Sequence, residues 1–286
     1  MIKIFGYLEK QLFSIIMSKE NDYLEINRQS WNNRTDTHLT SDFYDLDGFL
    51  KGNTSLNSIE LDLLGDIKGK SVLHLQCHFG QDTISLARLG ADATGIDLSD
   101  KAIESAKQIA KDANTNTKFI CSDVYDLPNH LHQQFDIVYT SYGTIGWLPD
   151  LDRWAKVIAR FLKPGGKFVF VEFHPVVWMF DNDFEKVFYR YFNSGAIIET
   201  ESGTYADKTA DITQEYVTWN HGLSEVINSL IQNGLEINSL DEYDYSPYNC
   251  FNKTIEFEPK KFRIEHLGDK IPMVYSVVAT KNQVSN

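Results

Sequence analysis

Carboxylates that follow short apolar strands are the residues of this sequence whose type and spacing could hold a ligand. Asp97 ends the segment Thr94-Gly-Ile-Asp97, and it lies about 20 residues beyond the start of a tight loop that contains Gly80. A carboxylate in this position suits a bidentate hydrogen bond to the two hydroxyls of a ribose. Asp123 follows the next short apolar run in the same way. The pattern predicts a site for a nucleoside-like ligand at the strand ends.

The loop before these carboxylates is poor in glycine. The stretch is Val72-Leu-His-Leu-Gln-Cys-His-Phe-Gly-Gln-Asp82, an apolar strand that leads into a tight loop and then into a helix. Loops that bring the backbone close to a ligand usually need several glycines. Here Gly80 is present, whereas Gln76 and His78 stand at the other expected positions. We expect an altered loop that still binds its ligand, and a decayed site is the alternative.

Strand and helix patterns alternate around this loop. Apolar runs predict strands at 71–77, 91–96, 118–121, 135–140 and 167–173. Amphipathic spacing predicts helices at 82–89, 100–111 and 151–162, and the last of these is closed by Lys163-Pro-Gly-Gly166. This order is typical of an α/β protein with a doubly wound, mostly parallel sheet.

The last third of the chain has a different organisation. A helix is predicted at 223–233 and strands at 235–240 and 273–280. Two aromatic-rich insertions, at about 176–220 and 243–271, interrupt this part. Long insertions at the strand ends of an open sheet commonly build substrate pockets, so we expect them to bind substrate. The alternative is that they are loop decoration.

Composition limits the partners and the compartment. The formal net charge of −13 disfavours nucleic acid and anionic membrane surfaces, because both are negatively charged. Aromatic residues make up 13% of the chain, which suits an aromatic-lined pocket. The three cysteines lie far apart in the sequence, as is typical of a reducing compartment. No stretch has the length of a membrane span. We therefore expect a cytoplasmic protein.

The motifs, taken in order, resemble a class I S-adenosylmethionine-dependent methyltransferase over about residues 69–281. Asp97 matches the family's ribose-binding acid, and Asp123 matches its adenine-binding acid. Ser141-Tyr-Gly-Thr-Ile-Gly-Trp147 matches the loop near the transferred methyl group, and Leu162-Lys-Pro-Gly-Gly-Lys167 matches a turn typical of the family. His74 stands where the family has an acid after the first strand, which leaves open how the cofactor's ammonium is held.

The resemblance implies S-adenosyl-L-methionine as the cofactor. It also implies a Rossmann-like, mostly parallel seven-stranded sheet with an antiparallel last strand, an N-terminal helical lid and insertions on the substrate side. Residues 17–66 would form the lid and residues 67–286 the methyltransferase domain. Residues 1–16 would be an upstream extension, with Met17 as the natural start. The implied cofactor contacts are Gln76, Cys77, Gly80, Asp97, Leu98, Asp123, Val124 and Ser141.

Other side chains are candidates for the acceptor side of the site. Tyr142 and Trp147 lie beside the predicted methyl group, and aromatic rings there can also favour a sulfonium. Trp31 belongs to the predicted lid helix, with core packing as its alternative role. His174 directly follows the strand at 167–173, where it could act in the pocket together with Tyr142 or simply cap the strand.

The sequence predicts an enzyme that transfers a methyl group from S-adenosylmethionine to a small molecule. The alternatives are a non-catalytic protein that binds an S-adenosyl ligand and, less favoured, a nucleotide-dependent oxidoreductase, whose Gly-x-Gly-x-x-Gly motif is absent. A metal site is not predicted, because His74 and Cys77 point to different faces of the strand and no second cluster completes a ligand set. The acceptor atom and the oligomeric state stay open.

Overall fold

A computed structural model describes residues 19–283 of the chain. The predicted upstream extension at 1–16 lies outside the described residues. No helix within 19–283 combines the length and the apolar character needed to cross a membrane.

A seven-stranded sheet organises the molecule, as the sequence predicts. Its strands are β1 (Ser71–Leu75), β2 (Asp92–Asp97), β3 (Lys118–Cys121), β4 (Phe135–Ser141), β5 (Leu162–Phe173), β8 (Leu235–Tyr243) and β11 (Val274–Lys281). They lie in the order β3-β2-β1-β4-β5-β11-β8. Neighbours from β3 to β5 are parallel, and β11 is antiparallel to both β5 and β8. The first strand is therefore central, and its carboxyl end opens at the point where the strand order reverses.

Helices pack against both faces of this sheet. They are α1 (Tyr23–Thr40), α2 (Leu46–Leu50), α3 (Ser58–Leu64), α4 (Gln81–Arg88), α5 (Asp100–Asp112), α6 (Leu127–His130), α7 (Leu151–Phe161) and α8 (Leu223–Gln232). In helix α5, the apolar face predicted from the sequence is the face that the structure buries. Ser99 begins that helix by accepting a hydrogen bond of 3.0 Å from the backbone N–H of Ala102.

Two predicted boundaries shift for identifiable reasons. Strand β1 ends at Leu75 and not at residue 77, because Gln76 already has a positive φ of 55°. Strand β5 begins at Leu162, since that residue pairs with Phe135 before the Pro-Gly-Gly turn. The helix predicted at 151–162 accordingly ends at Phe161.

Both insertions contain antiparallel hairpins separate from the main sheet. The first holds β6 (Ile197–Ser202) and β7 (Thr213–Thr218), and the second holds β9 (Thr254–Glu258) and β10 (Lys261–Ile264). Helix α1 packs against β7 and α5. Residues of the N-terminal helices and of both insertions lie around the carboxyl end of the central strands.

Candidate active site

A cavity of about 1420 Å³ opens at the carboxyl end of the central strands. Pockets for single small molecules typically measure about 300–1,000 Å³, so this one has room for a cofactor and a second molecule. Its wall contains every predicted site residue except His174, namely Trp31, Gln76, Cys77, Gly80, Asp97, Leu98, Asp123, Val124, Ser141, Tyr142 and Trp147. Residues of both insertions complete the wall. The structure thus brings the predicted cofactor and acceptor residues together.

The loop between β1 and α4 has the backbone of a glycine-rich loop with one glycine. Gln76, His78 and Gly80 have φ values of 55°, 51° and 80°. These are the three positions at which the resemblance expects glycine. Gly80 cannot be replaced in the same way, because a β-carbon there would lie 2.5 Å from the ring of Phe119. The altered sequence therefore retains the backbone shape of the loop.

The two substituted side chains are held by hydrogen bonds. The Nε2 of Gln76 donates to the carbonyl of Thr144 at 2.8 Å, which ties the loop to the segment after β4. The Nε2 of His78 lies 2.9 Å from the Nδ1 of His38 on α1. Burial lowers the pKa of His38 to about 3 and holds the pKa of His78 well below its usual range, so both imidazoles are neutral at physiological pH.

Helix α1 brings a buried polar face over this loop. Asn27, Ser30, Arg34 and His38 share that face and are all buried. The ring centroid of Trp31 lies 5.1 Å from that of His78 and 5.2 Å from that of Trp147. His38 and Arg34 were not predicted as site residues. Arg34 follows Trp31 by three residues and His38 follows Arg34 by four, a spacing that predicts one helical face.

Asp97 sits in the cavity wall and caps the turn that follows β2. Its Oδ2 accepts from the backbone N–H of His78 at 2.8 Å, and its Oδ1 accepts from the backbone N–H of Ser99 at 2.9 Å. Burial raises the pKa of Asp97 to about 6, so the side chain is ionised at neutral pH. Each oxygen has a further lone pair. The capping role is thus present in the structure, and the ribose role stays a prediction.

His74 does not take over the charge of the missing first-strand acid. It is buried, its Nδ1 lies 2.8 Å from the hydroxyl of Thr83, and burial lowers its pKa to about 3. A carboxylate is nevertheless available nearby, because Asp82 in the first turn of α4 lies in the cavity wall. The hydroxyl of Ser141 approaches the Oδ2 of Asp82 at 3.5 Å.

Glu172 fixes the segment after β4, and it was not among the predicted site residues. It is a fully enclosed carboxylate in the apolar run of β5, and it accepts from the backbone N–H groups of Thr144 and Ile145 at 2.7 and 3.2 Å. A charged residue within a buried strand was the sequence feature that could have revealed it.

His174 is the predicted site residue that the structure places elsewhere. Its backbone N–H donates to the carbonyl of Met273, and its Nε2 lies 2.8 Å from a carboxylate oxygen of Glu242 on β8. Its neighbours Phe173 and Pro175 line the cavity, whereas His174 does not. The expectation that His174 shares the cavity with Tyr142 and Trp147 is therefore corrected.

Residues 19–283 contain neither a reactive Cys77 thiolate nor a group of side chains that could hold a metal ion. Burial raises the pKa of the Cys77 thiol well above its usual range, so it is not a thiolate at neutral pH. Within residues 19–283, no group of three or more His, Cys, Asp or Glu side chains could hold a metal ion.

Comparison with known proteins assigns the central part of the chain. Residues 72–166 match the family described as a methyltransferase domain. A ubiquinone biosynthesis O-methyltransferase from Coxiella burnetii is 33% identical over 135 residues, which are 46% of this chain and 57% of that protein. One from Xanthomonas oryzae pv. oryzae is 33% identical over 132 residues, 45% of this chain and 55% of that protein. The chain spans little more than half the length of these relatives.

Solved structures share the fold over a larger part of the chain. An S-adenosylmethionine-dependent methyltransferase from Mesorhizobium loti has a TM-score of 0.54 at 21% identity, over 81% of this chain and all of that one (100%). A second, from Clostridium acetobutylicum, has a TM-score of 0.54 at 14% identity, over 90% of this chain and 98% of that one. Strand order and loop shape agree with the domain match: the chain has the fold of these S-adenosylmethionine-dependent methyltransferases, and its residues 72–166 match a methyltransferase domain.

Proposed function

We propose that this protein transfers a methyl group from S-adenosylmethionine to a small molecule. The proposal is carried by one observation. A single cavity of about 1420 Å³ is lined both by the predicted cofactor residues and by aromatic side chains, and its volume exceeds what one ligand needs. A sulfonium-bound methyl group is what the cofactor supplies when bound. The protein's part is to align an acceptor with it and to exclude water.

The cofactor side of the site follows from residues already described. Asp97 would accept the ribose hydroxyls, and Asp123 with Val124 would receive the adenine. The backbone amides at the start of α4 would meet the carboxylate of the amino-acid end, because a helix N-terminus carries partial positive charge. Gln76, Cys77, Leu98 and Ser141 would complete the wall.

The acceptor would lie between Trp31, Tyr142, Trp147 and the two insertions. The matched region at 72–166 ends before both insertions, so it does not identify the acceptor. The names of the matched relatives favour oxygen as the acceptor atom.

Residues 17–66 would act as a lid on the domain at 67–286. The charge of −13 favours a small molecule over nucleic acid, and the unpaired cysteines favour the cytoplasm.

Calorimetry tests the cofactor. We expect binding of S-adenosylmethionine and of its demethylated product, S-adenosylhomocysteine, and no binding of NAD. Binding of NAD alone would contradict the proposal. Transfer of a labelled methyl group to compounds of a metabolite extract then separates an enzyme from a protein that only binds the cofactor. A Gly80→Ala variant, whose loop cannot keep its shape, is the matched control for both experiments.

A further inference from the structure

A buried carboxylate stands behind the tyrosine of the predicted methyl-transfer loop. Glu60 on α3 has no exposed surface, and its Oε2 accepts a hydrogen bond of 3.0 Å from the hydroxyl of Tyr142. Its Oε1 accepts from the backbone N–H and the Nδ2 of Asn57, both at 3.2 Å. Within residues 19–283, no Lys, Arg or His side chain forms an ion pair with Glu60.

The groups around Glu60 bring the pKa of its carboxyl group close to neutral pH. Asp82 faces it from α4, Tyr139 from β4, and Tyr142 and Tyr248 from the loops beyond. Burial, with a further contribution from the charge of Asp82, raises the pKa of Glu60 to about 7, and the hydrogen bonds from Asn57 and Tyr142 oppose that rise. A carboxyl group with this pKa can take up and release a proton near neutral pH.

Tyr142 connects this carboxylate to the cavity. Its side chain lines the wall, and its ring packs against Phe173 and Tyr248, with centroid distances of 5.5 and 5.1 Å. Its backbone has a φ of 39°, which is unusual for a bulky residue, and its N–H donates to the carbonyl of Val171 at 2.7 Å. Backbone strain of this kind often accompanies a functional constraint.

We propose that Tyr142 and Glu60 form a proton relay, so that the methyl acceptor is a protic nucleophile, a hydroxyl or an amine. The proposal rests on the methyltransferase function proposed above. As the bond from the acceptor atom to the methyl carbon forms and the carbon–sulfur bond breaks, the acceptor gives its proton to the hydroxyl oxygen of Tyr142. The hydroxyl proton of Tyr142 passes to Glu60, which later releases it to solvent. Charge and atoms balance: the sulfonium becomes a thioether, and one proton leaves.

A purely structural role for Glu60 makes a different prediction. Glu60 and Asn57 form a capping box at the start of α3, and a glutamine can fill that role because its oxygen also accepts from the N–H of Asn57. Glu60→Gln therefore keeps the cap and removes the ionisable group. Tyr142→Phe keeps the ring and removes the hydroxyl. Tyr243→Phe is the matched control, since its hydroxyl contacts Ser276 and its side chain does not line the cavity.

Infrared titration of the S-adenosylhomocysteine complex tests the relay without an acceptor. We expect a protonated-carboxyl band that is lost in Glu60→Gln and that disappears in the unmutated protein as the pH rises through about 7. Tyr142→Phe should shift this midpoint upward, because the ionised form loses a hydrogen-bond donor, and Tyr243→Phe should leave it unchanged. A Glu60 that does not titrate between about pH 5 and pH 9 would overturn the proposal.

Turnover provides a second readout with catechol, phenethylamine and thioanisole as probes, of which only thioanisole lacks a transferable proton. Methylation of catechol or phenethylamine, reduced about 10²–10⁴-fold in Glu60→Gln and Tyr142→Phe but not in Tyr243→Phe, would support the relay. Methylation of thioanisole alone would overturn it. If no probe reacts, the infrared titration decides.

Calorimetry on the same proteins separates the two proposals. If the unmutated protein does not bind S-adenosylmethionine, the proposed function fails. If all variants bind it equally and Glu60 does not titrate, only the relay fails.

Discussion

Gln76 and His78 carry a backbone conformation that side chains other than glycine adopt reluctantly. A left-handed φ costs about 1–2 kcal/mol for an ordinary residue. Here two such residues flank Cys77, and each makes a side-chain hydrogen bond, to Thr144 and to His38. These bonds offset part of the cost, and they connect the loop to the segment after β4 and to α1. A sequence that departs from the glycine pattern thus gives a similar loop with two additional contacts.

Asp97→Ala should weaken both cofactor binding and the apo protein. The ribose would lose two charge-assisted hydrogen bonds worth roughly 1.5–3 kcal/mol each, part of which water recovers, so we expect about a tenfold to thousandfold loss of affinity. The N–H groups of His78 and Ser99 would also lose their acceptor, and we expect the free energy of unfolding to fall by about 1–3 kcal/mol. Calorimetry with S-adenosylmethionine and denaturant unfolding of the apo protein measure the two effects.

Asp97→Asn is the control for this prediction. Asparagine has one acceptor oxygen and can keep one of the two backbone hydrogen bonds, so it should retain more stability than alanine. A variant with lowered stability and unchanged cofactor affinity would contradict the ribose role of Asp97.

Strand-end positions explain which site residues the sequence reveals. Asp97 and Asp123 follow predicted strands, and local pattern alone places them at the carboxyl edge of a parallel sheet. Glu60 and His38 lie on N-terminal helices, and their approach to the loop depends on how those helices dock. His174 was misplaced because it pairs with Glu242 on β8, a contact that the local pattern after β5 does not predict.

At the scale of the element, α1 is a helix that buries polar residues. Its buried residues are Asn27, Ser30, Arg34, Thr35 and His38, and it lacks the apolar stripe of an ordinary surface helix. The Nδ2 of Asn27 donates to the carbonyl of Val217, and its Oδ1 accepts from the N–H of the same residue, both at 2.8 Å. One side chain thus completes the backbone pairing of β7 and fixes α1 over the cavity.

Asn27→Ala should loosen the proposed lid. Two buried backbone groups of Val217 would lose their partner, at a cost of about 1–3 kcal/mol each. We expect faster hydrogen exchange in α1 and β7 and weaker binding of S-adenosylmethionine, with exchange in β1 and β4 unchanged. Asn27→Asp keeps the acceptor and removes the donor, so its effect should be intermediate. Unchanged exchange in α1 would contradict the docking role of Asn27.

The elements differ in how far the sequence predicts them. Helix α5 has a continuous apolar face, and its predicted and observed limits agree within one residue. The hairpins within the insertions were not predicted. Strand β6 shows why, because its residues are only partly buried or exposed and give no strong alternation of apolar and polar residues.

At the scale of the molecule, buried carboxyl groups should make stability depend on pH. Burial raises the pKa of Asp97 from 3.8 to about 6 and that of Glu60 from 4.5 to about 7. Below about pH 4 both states are protonated and these groups have no effect. Between that pH and about 7 the folded state retains protons on these two groups that the unfolded state has lost, so their contribution to stability falls as the pH rises. One pKa unit corresponds to about 1.4 kcal/mol, which gives a loss on the order of 3 kcal/mol for each group.

Denaturant unfolding of the unmutated protein and of Glu60→Gln and Asp97→Asn from pH 4 to pH 8 checks this sign, because the stability of each variant relative to the unmutated protein should rise as the pH rises. Asp136 acts in the opposite sense. Hydrogen bonds from Lys163 and Ser71 hold its pKa well below the usual range, so the stability it contributes is lost only in strong acid. The neutral buried histidines His38, His74 and His78 also act in the opposite sense, because the unfolded state binds protons that the folded state does not. A stability difference between each variant and the unmutated protein that stays constant from pH 4 to pH 7 would contradict the prediction.

The hydrogen bonds between Asn27 and Val217 join residues 190 positions apart in the chain. Contacts of such long range close only after the intervening chain is ordered, because the entropy of loop closure opposes them until then. The sheet, whose neighbouring strands meet over shorter separations, can therefore assemble before α1 docks. The last segment to dock in folding is then the first to detach by local unfolding. In that case the rate at which spent cofactor leaves would be set by the opening of α1, without any unfolding of the sheet beneath it.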